Sequence, residues 1–288
     1  MKLSSKELQV LTQIAINAAT SAGEAINRYD CKDLVVQNKY GKTSLASQVV
    51  TEVDILSQKI ILEILKPTLK EYDLAVLAEE SSDDKQRLEN DFFWCIDPLD
   101  GTLPFINQKA GYAVSIALVS REGVPFIGVV FDPLTKILYH AIKGQGVFRN
   151  NESWFINADS EVKQLTITTD YSLINSDNFK SFCKKLEKIA IKLGYDELNI
   201  LDAGGAVMNA LWVLEQSPGC YVKYPKPKGG SLWDYAATAA IYQEFGAVAC
   251  DIYGSPLELN RPDSTYMNHN GIIFANDDKI AQAIVVKR

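Results

Sequence analysis

Trp94-Cys95-Ile96-Asp97-Pro98-Leu99-Asp100-Gly101-Thr102 sets an apolar run against two carboxylates three positions apart, with a proline between them and a Gly-Thr pair behind. Residues Phe92 to Ile96 are apolar throughout and predict a buried strand, which places Asp97 where that strand is expected to end and the chain to turn. Pro98 restricts Asp97 to extended backbone and supplies no N–H, so carbonyls in the turn are free to face something other than a neighbouring strand. Two carboxylates flanking the Leu99 carbonyl are the hard oxygen donors that Mg²⁺ takes. Gly101 permits close backbone approach to a ligand, and Thr102 adds a hydroxyl and an N–H suited to an anion. The same two acids would also serve as turn caps beside Pro and Gly, so a metal site needs further acids.

The chain supplies candidates. Leu74 to Ala78 is a second short apolar run and ends at Glu79-Glu80-Ser81-Ser82, again setting carboxylates at the mouth of a strand. Gly229-Gly230-Ser231-Leu232-Trp233-Asp234 leads into the alanine-rich Tyr235 to Ile241, a predicted helix at whose start Asp234 would equally act as a cap. Val49-Val50-Thr51-Glu52-Val53-Asp54 precedes a predicted helix over 54–66, where Leu56, Ile60, Ile61, Ile64 and Leu65 follow helical spacing. Asp54 also suits the first turn of that helix, where the dipole favours an acid.

With 288 residues and 47% hydrophobic content the chain can bury a large core. Its 29 basic and 36 acidic residues give a net charge of −7, which offers no general attraction to a nucleic acid polymer or an anionic membrane. Basic groups that handle phosphate must therefore be local. The five cysteines are widely spaced, odd in number and without C-x-x-C pairs, which argues against a disulfide framework or a zinc site and for a reducing cytoplasm. No secretory leader is read in residues 1–29, and no run approaches the length of a membrane span.

Ser4 and Glu7 predict a capping box, followed by a long helix with Leu8, Leu11, Ala15, Ala18, Ala22 and Ala25 on one stripe. Strand-like runs at 92–96, 111–119, 124–131, 136–142 and 146–149 have short links that predict antiparallel hairpins. Gly144-Gln145-Gly146 reads as a turn, since the third glycine and the helix of a dinucleotide loop are absent. From about residue 160 helices (near 176–193, 205–215, 233–246 and 277–285) alternate with short strands (near 164–168, 198–201, 219–223, 247–251 and 271–275), which predicts an α/β half. The expected division is an N-terminal α+β domain over 1–157 with most of the metal ligands, and a C-terminal α/β domain over 158–288 supplying Asp234 and a recognition loop. Trp154, Phe155 and Trp212 are expected in the core. His140, beside a strand-like run, is read as structural.

The segments V-V-T-E-V-D (49–54), A-E-E-S (78–81), D-P-L-D-G-T (97–102), L-W-D-Y-A-A (232–237) and E-F-G-A-V-A-C-D-I-Y-G-S-P-L (244–257) together resemble the inositol monophosphatase superfamily, and they run in the family's order along nearly the whole chain. The resemblance implies a layered αβαβα sandwich, α+β and α/β in character, with an antiparallel N-terminal sheet and a mixed C-terminal sheet. It also implies a Mg²⁺-dependent, Li⁺-sensitive phosphatase with two or three Mg²⁺ ions per site. By that correspondence Glu79, Asp97 and the Leu99 carbonyl hold one ion and Asp97, Asp100 and Asp234 a second; the ions bridge phosphate oxygens and lower the pKa of an attacking water. Gly101 and Thr102 N–H groups meet the phosphate, Thr102 relays a proton and Asp54 is the base. No covalent phosphoenzyme is implied.

Tyr224-Pro225-Lys226 stands ahead of Asp234 at the spacing of the Y-P-R segment in bacterial 3′(2′),5′-bisphosphate nucleotidases, with Lys226 on the arginine. That similarity implies hydrolysis of adenosine 3′,5′-bisphosphate to AMP and phosphate, with Lys226 and Asp234 among the substrate contacts. The glutamate that inositol phosphatases carry seven residues before the metal-binding Asp is Pro227 here, whereas Gly204-Gly205-Ala206-Val207-Met208-Asn209 is closer to the inositol type. Leu103-Pro104-Phe105 matches neither. Lys223, Lys226 and Lys228 would also form a plain solvated loop. An inositol or other sugar monophosphatase is therefore the alternative, and a non-catalytic binding protein that keeps the fold a more distant one. The expected partner is a small phosphate ester; a homodimer is left open.

Overall fold

Successive residues of a strand point to opposite faces of its sheet, and where both faces are apolar the sheet must be covered on both sides. The computed structural model of the protein describes residues 2–29, 37–38, 49–50, 52–155, 162–202, 204–216 and 218–286. Two two-residue strands, β1 (Gln37–Asn38) and β2 (Val49–Val50), pair with each other. A seven-stranded sheet follows in simple order: β3 (Leu74–Ala78), β4 (Phe92–Asp100), β5 (Ala113–Ser120), β6 (Pro125–Asp132), β7 (Ile137–Ile142), β8 (Gly146–Arg149) and β9 (Glu152–Ser153). β3 and β4 are parallel; every later neighbour is antiparallel, as the short links require.

The alternation along these strands divides two cores. Phe92, Trp94 and Ile96 of β4 and Val114, Ile116 and Leu118 of β5 enter one, which helices α1 (Ser5–Asn27) and α2 (Glu52–Glu71) fill with Leu11, Ala15, Ile26, Val53, Ile61 and Leu65. Phe93, Cys95, Ala113, Ala117 and Val119 face the other way, toward two helices of the second half. A short helix α3 (Thr102–Ile106) follows β4 directly.

The second half forms a five-stranded mixed sheet from β10 (Gln164–Thr169), β11 (Glu197–Asp202), β12 (Gly219–Lys223), β13 (Val248–Cys250) and β14 (Ile272–Ala275), in the order β11-β10-β12-β14-β13. β10 is parallel to β11 and β12, while β14 is antiparallel to β12 and β13. Its helices are α4 (Tyr171–Ile174), α5 (Phe179–Leu193), α6 (Ala206–Glu215), α7 (Leu232–Phe245) and α8 (Asp278–Ile284). Tyr221, Ile272 and Phe274 face α6 and α7, whereas Cys220, Val222, Ile273 and Ala275 face Phe182, Leu186 and Ala190 of α5 and Ile280 and Ala281 of α8. The layers are thus α1/α2, seven-stranded sheet, α6/α7, five-stranded sheet, α5/α8, an αβαβα sandwich. Among the described residues no helix is long and apolar enough to cross a membrane.

Ser4 caps α1 through the expected box, with Glu7 N–H donating to its hydroxyl and the Glu7 carboxylate accepting from Ser4 N–H. α2 runs past its expected end and through Pro67 to Glu71. Proline costs a helix one hydrogen bond, but Leu65 and Thr68 are fully packed and the Thr68 hydroxyl accepts from Trp94 Nε1 at 3.0 Å, so tertiary contacts hold the last turn. Trp154 packs on Tyr139 and Phe245 and Trp212 lines the same core, but Phe155 is 75% exposed and not a core residue. Extended chain alternates its side chains, and with Trp154 turned inward Phe155 faces solvent. Cys31 and the expected boundary at 157/158 lie outside the described residues; Tyr139 from one side of that boundary and Tyr235, Tyr242 and Phe274 from the other share one core.

α7 lies between two sheets, which explains its alanines. Leu232 and every residue from Tyr235 to Tyr242 are buried, so no polar face remains. The helix comes so close to β6 that a Cβ at Gly128 would be driven into the Ala237 carbonyl oxygen and the Ala240 methyl. Backbone cannot yield as a side chain end can, so Gly128→Ala is expected to lower stability by about 1–3 kcal/mol through overpacking, read from the denaturant midpoint.

Candidate active site

Asp97 and Asp100 do not end a strand; they are inside it. β4 continues to Asp100, and its register against β5 pairs Asp97 with Ser115 but Asp100 with Ala113, three residues against two. In a regular strand residues three apart point to opposite faces; one bulged residue brings them to the same face. Pro98 suits the bulge because it has no N–H to lose from the ladder. Its carbonyl accepts from the Ser57 hydroxyl of α2 at 2.7 Å, and Leu99 N–H donates to Asp97 Oδ1 at 3.0 Å, so the bulge is pinned from both sides.

Asp97 shares the face of Cys95 and so points toward α6 and α7. There Ser231 caps α7 and Asp234 closes a capping box, its Oδ2 accepting from Ser231 N–H at 2.9 Å. One carboxylate oxygen each from Asp97, Asp100 and Asp234 lie within 4.8 Å of one another. Asp97 and Asp100 are buried and Asp234 half-buried. Glu79 follows β3 where it runs parallel to β4, its N–H donating to Ile96 O at 3.2 Å, which sets it beside Asp97 although outside the tightest group of three.

Burial raises the Asp97 carboxyl well above the ordinary carboxylate range, and the charges of Glu79, Asp100 and Asp234 push the same way against the Leu99 N–H. Asp100 is raised by burial and by Asp234, opposed by the N–H groups of Val207 and Ala206 and by Lys223. All three clustered side chains offer hard oxygen, and their mutual repulsion is of the kind a small divalent cation removes; the donor set fits Mg²⁺.

The Thr102 hydroxyl lies 3.4 Å from both Asp54 Oδ1 and the Leu99 carbonyl. Asp54 is 2% exposed in the first turn of α2. Gly101 takes a φ of +84°, and a side chain there would collide with the Gly111 carbonyl, so this position is closed to other residues. Asp54, Glu79, Asp97, Leu99, Asp100, Gly101, Thr102 and Asp234 thus line one place in the fold. Lys226 and Lys228 lie on the exposed loop after β12, where Lys226 N–H donates to Asn268 O at 2.7 Å.

Two features escaped the sequence. Ala206 and Val207 N–H groups, at the start of α6, donate to the Asp100 carboxylate at 3.1 and 2.9 Å. A Cβ on Gly205 would overlap Asp100, so the Gly204-Gly205 pair is the signal that something approaches there. Lys223 is not part of a solvated loop: it ends β12 with its ammonium 2.7 Å from Asp170 Oδ2, while Tyr221 hydroxyl donates to Asp170 Oδ1 at 2.6 Å. Burial lowers the Lys223 pKa, yet Asp170 and the other negative groups around it, Asp234 among them, outweigh burial and hold the pKa well above the usual lysine range. His140 is buried against the Phe148 ring at 4.8 Å, and burial lowers its pKa to about 4, which leaves it neutral and structural.

Comparison with known proteins agrees with this geometry. The profile of the inositol monophosphatase family matches residues 7–287. An inositol-1-monophosphatase of Synechocystis is 28% identical over 287 residues, covering 98% of this chain and 89% of its own. The crystal structure of the extragenic suppressor protein SuhB from Bartonella henselae superposes with a TM-score of 0.73 at 23% identity, covering 96% of this chain and 98% of its own. Inositol monophosphatase from Anabaena gives a TM-score of 0.68 at 25% identity, with 96% and 95% covered. The chain belongs to the inositol monophosphatase family, and with it to the Mg²⁺-dependent phosphoric monoester hydrolases.

Proposed function

We propose that this phosphatase acts on a small doubly phosphorylated metabolite, a 3′(2′),5′-bisphosphate nucleotide such as adenosine 3′,5′-bisphosphate, releasing AMP and phosphate. The observation that carries the reading is the run of lysines in the chain that leads from β12 into the Asp234 helix. In a chain of net charge −7, Lys226 and Lys228 flank Pro227, the position where sugar-phosphate specificity would call for an acceptor carboxylate. Lys226 is exposed and its backbone is anchored to Asn268, so the ammonium is available to a second phosphate. A specific observation favours a second reading, an inositol or other sugar monophosphate, because the relatives above carry that name.

Asp97, Asp100 and Asp234, with Glu79 and the Leu99 carbonyl, would hold Mg²⁺. When bound, the metal neutralises these carboxylates, draws charge from the phosphate and acidifies water at the site. The Thr102 hydroxyl, set between Asp54 Oδ1 and the Leu99 carbonyl, passes a proton from the attacking water to Asp54. The Gly101 and Thr102 N–H groups steady the phosphate oxygens. Backbone donors from Ala206 and Val207 fix the Asp100 carboxylate so that it need not reorient during the reaction. The four described cysteines are free, which supports a reducing compartment, the cytoplasm.

Phosphate release across a panel of adenosine 3′,5′-bisphosphate, 2′-AMP and inositol monophosphate, with Mg²⁺ and with and without Li⁺, tests the substrate. The bisphosphate is expected to give the highest kcat/KM, and inositol monophosphate the highest if the second reading holds. Lys226→Ala is expected to raise KM for the bisphosphate by about tenfold, the worth of one charged hydrogen bond. Thr102→Ala is expected to lower kcat by roughly 10²-fold or more with KM little altered, and Thr102→Ser to recover most of it. Without metal, Asp97 and Asp100 titrate above their unfolded values, so their stability contribution is present below about pH 4 and lost as pH rises through the raised values. The melting temperature of the metal-free protein should therefore fall toward neutral pH, and the gain on adding Mg²⁺ should grow over the same range.

A further inference from the structure

Resting on the reading of Glu79 as a metal ligand, we propose that Gln58 of α2 is a positioning residue that holds Glu79 at its working distance from Asp97. The ladder between the parallel strands β3 and β4 ends at Ala78 and Ile96, with Glu79 N–H still donating to the Ile96 carbonyl at 3.2 Å. Past that point both chains find partners on α2. Gln58 Oε1 accepts from Glu80 N–H at 2.9 Å and its Nε2 donates to the Ser81 hydroxyl at 3.0 Å, while the Ser57 hydroxyl donates to the Pro98 carbonyl at 2.7 Å. Two consecutive residues of one helix thus take hold of the two chain segments that carry Glu79 and Asp97.

The helix is a firm support for this contact. Asp54, Ser57, Gln58, Ile61 and Leu65 follow one another at the three- and four-residue steps of a single helix face, and all are buried. Ile61 and Leu65 fill the core between α2 and the seven-stranded sheet, so Gln58 projects from a packed element and not from a loop. Ordering a glutamine side chain costs rotamer entropy, and burying its amide costs more unless both ends are paired. Gln58 is 7% exposed and both of its ends are paired. The two bonds reach the residues immediately after Glu79, and the strand ladder holds Glu79 N–H itself. Before a cation arrives, the like charges of Glu79 and Asp97 favour moving apart. A turn tied on both sides of the glutamate resists that motion and leaves the carboxylate ready for the metal.

The plain alternative is that Gln58 serves stability alone, by tying α2 to the sheet. Gln58→Leu keeps the bulk and removes both bonds. Mn²⁺ affinity, measured by calorimetric titration of the full chain, and the metal-free melting temperature are followed for the wild type, Gln58→Leu, Glu79→Gln and the double variant. The proposal expects Gln58→Leu to weaken Mn²⁺ binding by about tenfold or more, and to add little further loss in Glu79→Gln, because the glutamine acts through the glutamate. A lower melting temperature with wild-type Mn²⁺ affinity overturns it and leaves Gln58 a stability element. An equal fold loss with and without Glu79 overturns it as well. Wild-type affinity in Glu79→Gln removes the ligand reading of Glu79 itself, and the proposal falls with it. If Gln58→Leu does not fold, Ser81→Ala decides, since this exposed residue supplies the acceptor of the Gln58 amide. It is expected to weaken Mn²⁺ binding about fivefold, the worth of one neutral hydrogen bond, and an unchanged affinity there overturns the proposal.

Discussion

Three carboxylates from two remote parts of the chain, Asp97 and Asp100 on one and Asp234 on the other, come within 4.8 Å of one another in a largely buried place, and the rest of the structure is arranged around that repulsion. Such a group is unfavourable as anions and unremarkable as neutral acids; it becomes useful only when a cation balances it. The protein meets part of the cost by itself. Leu99 N–H serves Asp97, the α6 N–H groups serve Asp100, and Ser231 N–H serves Asp234, so each carboxylate is oriented by backbone before any metal arrives. Backbone donors are fixed by the fold, which lets the site hold its geometry without relying on mobile side chains.

The layering supplies that geometry. β4 carries Asp97 and Asp100 on one face across a bulge, Glu79 follows β3 alongside, and α7 brings Asp234 from the opposite layer. α7 can do so because its run of alanines lets it fit between two sheets, with Gly128 conceding the space against Ala237 and Ala240. The other face of β4 is packed by α2, which places Asp54 against Thr102. The acid cluster and the Asp54–Thr102 contact thus meet at the end of a single strand.

Much of this was legible in the sequence. The apolar runs named the strands, their short links named the hairpins, and the acids picked out beside those runs include the three that cluster, because periodicity and turn chemistry are local properties. What stayed hidden depended on partners far along the chain. A β-bulge is a relation between two strands, so Asp97 read as a strand end and not as an interior position. The continuation of α2 through Pro67 needed the Trp94 contact, and the exposure of Phe155 needed the inward turn of Trp154. Lys223 read as one of three loop lysines because nothing near it in sequence reveals Asp170, fifty-three residues away. The approach of Asp100 to Gly205 stayed hidden for the same reason, since the two lie more than a hundred residues apart and the Gly204-Gly205 pair carries no mark of its partner.

The meeting point of Asp97, Asp100 and Asp234 is where a divalent ion would bind. Anomalous diffraction from crystals of the protein soaked in Mn²⁺, a stand-in for Mg²⁺ with the same preference for oxygen, tests this most directly. The prediction is strong anomalous density bounded by these three carboxylates, lost in Asp97→Asn/Asp234→Asn. Crystals that hold Mn²⁺ only elsewhere, with the three carboxylates contacting nothing but protein and water, would contradict it.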